Sequence, residues 1–403
     1  MTQSIAPPAD LPLDSILPDE PLLLMGAGPV PVSQKVATAN TVVINHLGDT
    51  MNQVIERVRL MAQYVFQTAS PHILGVAGPG SAAMEMAITN LVWPGKKVLC
   101  IQNGFFSGRL AEMATRCGGD VDILRCEDGE GVKLEQVQQA LAEKQYDVLT
   151  LVQGETSNTV CNHELADVCK YAHEQGLFTI VDAVCTLSTM PLEMDAWHVD
   201  VVITGGQKGL ASIPGVSLIA FSERVWPYMM DRDVNMPHWC FDVRLAKQFW
   251  EEKGYHYTAP VSGILALHEA LRQVCLETLD RRFNRHRLCS QALQQAIEAM
   301  GLSLYVEPHS RLNSVVGINL PDGVEGKQLL NTMSQLYKVE ISGSFGLPIV
   351  RIGQMGEQSR AHNLFRTLHA LGMSMKSCGG NVDLPAAMAA LERGLDRSSA
   401  LTA

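Results

Sequence analysis

Leu177-Phe178-Thr179-Ile180-Val181-Asp182 and, after a short interval, Val201-Val202-Ile203-Thr204-Gly205-Gly206-Gln207-Lys208-Gly209 are the two stretches whose reading decides the fold. Each is a short, nearly continuous apolar run that ends on a charged side chain. The first closes on an acid; the second runs into a glycine-rich loop that carries a lysine. A run without polar alternation belongs to a strand covered on both faces, as in a parallel sheet. Similar runs stand at 98–101, 121–124, 148–152 and 216–221, separated by helix-length amphipathic segments such as 134–144 and 165–175. The alternation predicts βα units in an α/β fold, with the reactive residues at the carboxyl ends of the strands.

Working outward, residues 1–22 are rich in proline and acid and are expected to form an extended arm. A helix is expected near 51–68. Gly75-Val76-Ala77-Gly78-Pro79-Gly80-Ser81 reads as a glycine-rich turn opening a helix, where free N–H groups and a positive helix end suit a phosphate. It contains neither a Walker lysine nor a GxGxxG pattern. Beyond about 262 the pattern changes. One long helical stretch over 264–300, strands at 302–306, 314–319 and 349–353, and helices near 362–375 and 384–395 suggest a smaller α+β domain. The expected division is an arm (1–22), a large cofactor-binding domain (23–275) and a small C-terminal domain (276–403).

With 403 residues the chain can bury a sizeable core. Its 31 basic and 42 acidic residues, net charge -11, argue against nucleic acid or an anionic membrane as partner. The first residues lack a basic segment followed by an apolar one, and no run of about 18 apolar residues occurs. A cytoplasmic location is therefore expected. Ten cysteines are scattered without a CxxC pair, and twelve histidines without metal-ligand spacing, so neither a disulfide nor a metal is expected.

An aspartate at one strand end and a lysine just past another are the two protein groups that pyridoxal phosphate chemistry needs. The lysine amine bonds to the cofactor aldehyde, and the aspartate keeps the pyridine nitrogen protonated so that the ring withdraws electrons. Asp182 alone could equally be a helix cap, and Lys208 alone a solvated loop residue. The glycines around Lys208 point to a close backbone approach.

Eight elements in order make the chain recognisable: Tyr64-Val65-Phe66-Gln67-Thr68, Gly78-Pro79-Gly80-Ser81, Asn103-Gly104-Phe105-Phe106-Ser107-Gly108-Arg109, Gly154-Glu155-Thr156-Ser157, Val181-Asp182-Ala183-Val184, Gly206-Gln207-Lys208, Tyr255-His256-Tyr257-Thr258 and Arg351-Ile352-Gly353. From Gly26 to about Leu395 the chain resembles the class V aminotransferases of the fold type I pyridoxal phosphate enzymes, in the branch of alanine-, serine-glyoxylate and pyridoxamine-pyruvate aminotransferases. The resemblance implies a large domain with a mostly parallel seven-stranded sheet, a smaller C-terminal α+β domain and a homodimer. It implies that Lys208 carries the pyridoxal 5'-phosphate and that Asp182 faces its ring nitrogen. Phe106 would stack on one ring face and Val184 pack on the other, with Thr156 near the ring oxygen. Gly80, Ser81 and Gln207 would meet the phosphate, joined by Tyr255 and Thr258 from the neighbouring subunit. Arg351 would clamp the substrate carboxylate, with Gly26 and His46 near the substrate.

The implied activity moves an amino group from a small amino acid, alanine or serine, to a small 2-oxo acid such as glyoxylate or pyruvate. The segments 320–324 and 379–385 resemble the pyridoxamine-pyruvate branch, which makes pyridoxamine the alternative donor. A lyase or desulfurase fits less well, because that branch has histidine where Gln207 stands. The chain also departs from its family. Gly26-Ala27-Gly28-Pro29 replaces the usual Gly-Pro-Gly-Pro, Leu47 follows His46 where arginine is common, and Pro79 removes a backbone donor from the phosphate turn.

Overall fold

The computed structural model describes residues 5–399. Strands β1 (Ile73–Ala77), β2 (Lys97–Gln102), β3 (Asp120–Arg125), β4 (Val148–Val152), β5 (Phe178–Asp182), β6 (Val201–Ile203) and β7 (Val216–Phe221) form one sheet. Their spatial order is β1-β7-β6-β5-β4-β2-β3. Only β7 runs against its neighbours; the other adjacent pairs are parallel. β4, β6 and β7 are buried along their whole length, as their unbroken apolar runs require.

The helices that cover the sheet are amphipathic. α1 (Asp49–Phe66) buries Met51, Ile55, Val58, Ala62, Val65 and Phe66, a stripe at three- and four-residue spacing. α2 (Gly80–Leu91) and α3 (Phe105–Arg116) start where β1 and β2 end, so their N-termini face the carboxyl edge of the sheet. The chain then leaves the large core through α4 (Val261–Glu277) and α5 (Leu279–Ala299).

A second core gathers Met25, the later turns of α5, α6 (Ala361–Ser377), α7 (Leu384–Ser399) and a three-stranded antiparallel sheet. That sheet consists of β8 (Val315–Asn319), β9 (Ser342–Gly343) and β10 (Ile349–Gly353), with β10 in the middle. Leu23 and Leu24 pair in parallel with Val339 and Glu340, which fastens the beginning of the chain to this smaller unit. Among residues 5–22 the side chains of Leu11, Leu13 and Ile16 are exposed.

Three expectations change. Gly75, Val76 and Ala77 are not part of the turn: they complete the edge strand β1, and the turn is only Gly78-Pro79. Glycine is tolerated inside that strand because the Trp250 indole fills the space of its missing side chain, 2.0 Å from where a Cβ would stand. The single long helix is two helices broken at Thr278, which has φ +68°. Leu279 is drawn into the large core and its N–H donates to the Tyr64 hydroxyl at 2.8 Å, so packing sets the break. Residues 302–306 form no strand; Leu304 makes one isolated bridge to Ile318, while Leu302 and Val306 turn inward as packing residues.

Candidate active site

Five loops leave the carboxyl ends of β1, β2, β4, β5 and β6 and converge on one cavity of about 200 Å³. Its wall contains Pro79, Gly80 and Ser81 from the first loop, Phe106 from the second, Gly154 and Thr156 from the third, Asp182, Val184 and Cys185 from the fourth, and Gln207 and Lys208 from the fifth. A crevice at the carboxyl edge is where an open α/β sheet binds its ligand, because strand ends and helix starts there present unpaired groups.

Asp182 ends β5 near the middle of the sheet and is 6% exposed. Its Oδ1 accepts from Val184 N at 2.8 Å. Burial pushes the carboxyl up to about 7; the Val184 bond pulls it down, Glu155 pushes it further up, and Lys208 pulls it down.

Lys208 is turned inward by its loop. Its amine donates to the Ala27 carbonyl, and its stem passes over Gly28, where any Cβ would stand 2.5 Å from Nζ. Gly28 has φ +100°, which other residues rarely adopt, so backbone shape and lysine path both call for glycine. Burial lowers the lysine pKa, with the Arg351 charge acting in the same direction. Behind it, Arg282, 3% exposed, donates Nη2 to the Gly209 carbonyl at 2.8 Å and Nε to Ser188 Oγ.

Gly80 opens α2 against Val184, whose Cγ2 lies 2.8 Å from where a Cβ would be. With Pro79 as N-cap, the N–H groups of Gly80 and Ser81 stand at the start of the helix, beyond the reach of its internal bonds. Gln207 brings a buried side-chain oxygen with no partner among the described residues. The open N–H groups of a helix start suit an anion, and the amide NH2 of Gln207, which lines the same cavity, is a further donor for one.

Glu155, part of the Gly154-Glu155-Thr156-Ser157 element, organises the site. Fully buried, it accepts from Phe106 N at 3.0 Å, Ser107 N at 2.9 Å, Ser107 Oγ at 3.0 Å, Ser157 N at 3.1 Å and Ser157 Oγ at 2.6 Å. Its carboxylate thus sits on the N-terminus of α3 and locks Phe106 beside Thr156. An acid three residues past a largely apolar strand is the available signal. Cys185 and Met84 were also unread as wall residues; Cys185, 3% exposed, has its thiol pushed up to about 12 by burial and stays a neutral packing group.

Arg351, central in β10, is 5% exposed and reaches from the small unit toward Thr156. Nε donates to Gly343 O at 2.8 Å and Nη1 to Thr156 O at 2.5 Å. Burial brings the guanidinium down to about 10, still charged at neutral pH. No acid forms an ion pair with it among the described residues, and the remaining N–H groups on Nη1 and Nη2 can still receive a carboxylate.

Arg351 stands beside the cavity through Thr156 without lining it, and the other sequence-predicted residues stand off it. Gly26 packs on Ser342 and its carbonyl accepts from Gln358 Nε2 at 2.8 Å. His46 is half-buried with Nδ1 unpartnered, and its ring lies 5.9 Å from that of Tyr255. Tyr255 is 54% exposed and Thr258 is exposed. None of these four lines the cavity within one chain.

A family model described as Aminotransferase class-V matches residues 32–356. The alanine-glyoxylate aminotransferase of Mus musculus is 31% identical over 368 residues, covering 89% of each chain. Among solved structures, an alanine-glyoxylate aminotransferase from Nostoc is 34% identical with a TM-score of 0.86, covering 89% of this chain and 97% of that one. The ureidoglycine-glyoxylate aminotransferase of Bacillus subtilis is 27% identical with a TM-score of 0.92, covering 94% of this chain and 100% of that one. With strand order, cavity and these likenesses in agreement, the chain belongs to the class V aminotransferase family, whose enzymes work with pyridoxal phosphate.

Proposed function

We propose that the protein moves an amino group from a small amino acid, alanine or serine, to a small 2-oxo acid such as glyoxylate or pyruvate, with the cavity residues in the roles their positions allow. The observation that carries this reading is one cavity walled by Asp182, Lys208, Ser81 and Phe106, with the unpaired Arg351 beside it. The relatives named for glyoxylate support the acceptor class.

The wall fits pyridoxal phosphate. Gly80, Ser81 and Gln207 would hold the phosphate, Phe106 and Val184 would bracket the ring, and Thr156 would stand by its oxygen. When bound, the cofactor supplies an electron sink for charge developing at the substrate Cα. Asp182 would hold the proton at the pyridine nitrogen, because a carboxyl that burial has left short of a counter-charge gains most from a cationic N–H. Lys208 would take the proton from Cα, and its lowered pKa favours the neutral amine that can do so. Arg351 would orient the substrate through its carboxylate. Thr156 and Gly343, by accepting from it, fix the guanidinium plane.

We keep arm 1–22, large domain 23–275 and small domain 276–403 as the working division; at its borders Leu23, Leu24 and Met25 pack with the small unit and Leu279 with the large core. We read the protein as a cytoplasmic homodimer in which Tyr255 and Thr258 reach the partner's phosphate. Their exposure away from their own cavity supports this. Among the described residues no helix is long and apolar enough to cross a membrane.

Three outcomes test the reading. Arg351→Lys should raise KM about tenfold or more for both amino acid and oxo acid, since lysine offers no bidentate fork. If pyridoxamine is the true donor, its KM stays unchanged, because it carries no carboxylate, while that of the oxo acid rises. Unchanged KM values for both acids would refute the clamp.

A second outcome concerns stability without cofactor. Asp182 has a folded pKa near 7, above its ordinary value of 3.8, so the folded chain keeps a proton that the unfolded chain releases. This contribution is whole below about pH 4 and is lost as pH rises through about 7, up to about 4 kcal/mol. Urea denaturation of cofactor-free protein should show that decline, and Asp182→Asn should remove it. Parallel pH profiles for the two proteins would contradict the assignment.

Third, mixing Tyr255→Phe with Lys208→Ala protein should restore activity, since each mixed dimer keeps one site with both residues intact. Failure to recover activity once subunit exchange is verified would count against a shared site.

A further inference from the structure

Arg109 lies on the first turns of α3, one turn beyond Phe106, with its guanidinium carbon 4.8 Å from the Phe105 ring centre and 4.9 Å from that of Phe106. Its Nη1 donates to Ser81 Oγ at 3.3 Å. Among the described residues it makes no ion pair. A guanidinium has five donors and no acceptor, so in this contact Ser81 can only accept. The serine's own O–H is thereby left to point elsewhere, and Ser81 is part of the cavity wall. An unpaired cation would then stand one hydroxyl away from the site of the phosphate.

We propose that Arg109 is a positioning residue for the cofactor phosphate. It orients the Ser81 hydroxyl as a donor into the cup and polarises that O–H, as a charge-assisted hydrogen bond does. Its stacking on Phe106 ties the ring wall and the phosphate cup to one side chain. The arrangement has a local reason. Pro79 contributes no N–H, so the cup has fewer backbone donors than a turn without proline, and a directed hydroxyl with a cation behind it makes up the loss. This inference rests on the reading of the cavity as the pyridoxal phosphate site.

The test compares two ligands that share the aldehyde and ring and differ in the phosphate. Full-length protein freed of cofactor is titrated with pyridoxal phosphate and with pyridoxal, and binding is read from absorbance and tryptophan fluorescence. Arg109→Gln should weaken pyridoxal phosphate about tenfold and pyridoxal by less than about twofold. In a Ser81→Ala background the same substitution should lose most of its effect, because the hydroxyl it orients is gone. If the glutamine variant does not fold, Arg109→Lys keeps the cation and should show the same selective loss in smaller degree. Equal loss for both ligands, or an undiminished effect without Ser81, would overturn the relay. Wild-type protein that binds the two ligands equally would instead refute the phosphate cup, and the inference with it.

Discussion

The buried carboxylate of Glu155 is the interaction on which the rest of the site depends. It takes hydrogen bonds from backbone and hydroxyl donors on both the start of α3 and the loop after β4. A fully buried acid is tolerable only when its oxygens are so satisfied, and here the donors include the open N–H groups of a helix start. The consequence is geometric. Phe106 and Thr156, which come from different βα units, are held as one rigid wall. Arg351 then fastens the small unit to that wall through the Thr156 carbonyl, so Arg351 and Phe106 share a frame.

The charges inside this frame are arranged to be incomplete. Asp182 is pushed toward the neutral form by burial, Lys208 toward the free amine, and Arg351 keeps its charge without an acidic partner. Asp182 and Lys208 thus both stand away from their ordinary charged forms, while Arg351 carries a charge that no acid among the described residues meets. Among the described residues no hydrogen bond joins Lys208 to Asp182; Lys208 donates to Ala27 O.

Strands buried on both faces are the legible part of the sheet: 148–152 and 216–221 coincide with β4 and β7 to the residue. In β1, Gly75 has the look of turn chemistry, and it is the Trp250 indole occupying its space that makes it a strand residue. The break at Thr278 carries no glycine or proline; it follows from Leu279 and Tyr64 meeting across 215 residues, which no local pattern encodes. In the site, Asp182 and Lys208 announce themselves as charges at the ends of apolar runs, and the cavity brings both together with Gly80, Ser81, Phe106, Thr156, Val184 and Gln207. Glu155 and Arg109 act through what they touch, and such contacts appear only in three dimensions.

The most direct measurement of the central claim is to reduce the purified protein with borohydride, digest it with trypsin and locate the trapped cofactor by mass. Trypsin does not cut at a modified lysine, so the account predicts the label at Lys208 on a peptide running from residue 171 to residue 224, and no label in Lys208→Ala protein. A label on any other lysine, or one that survives in Lys208→Ala, would contradict it.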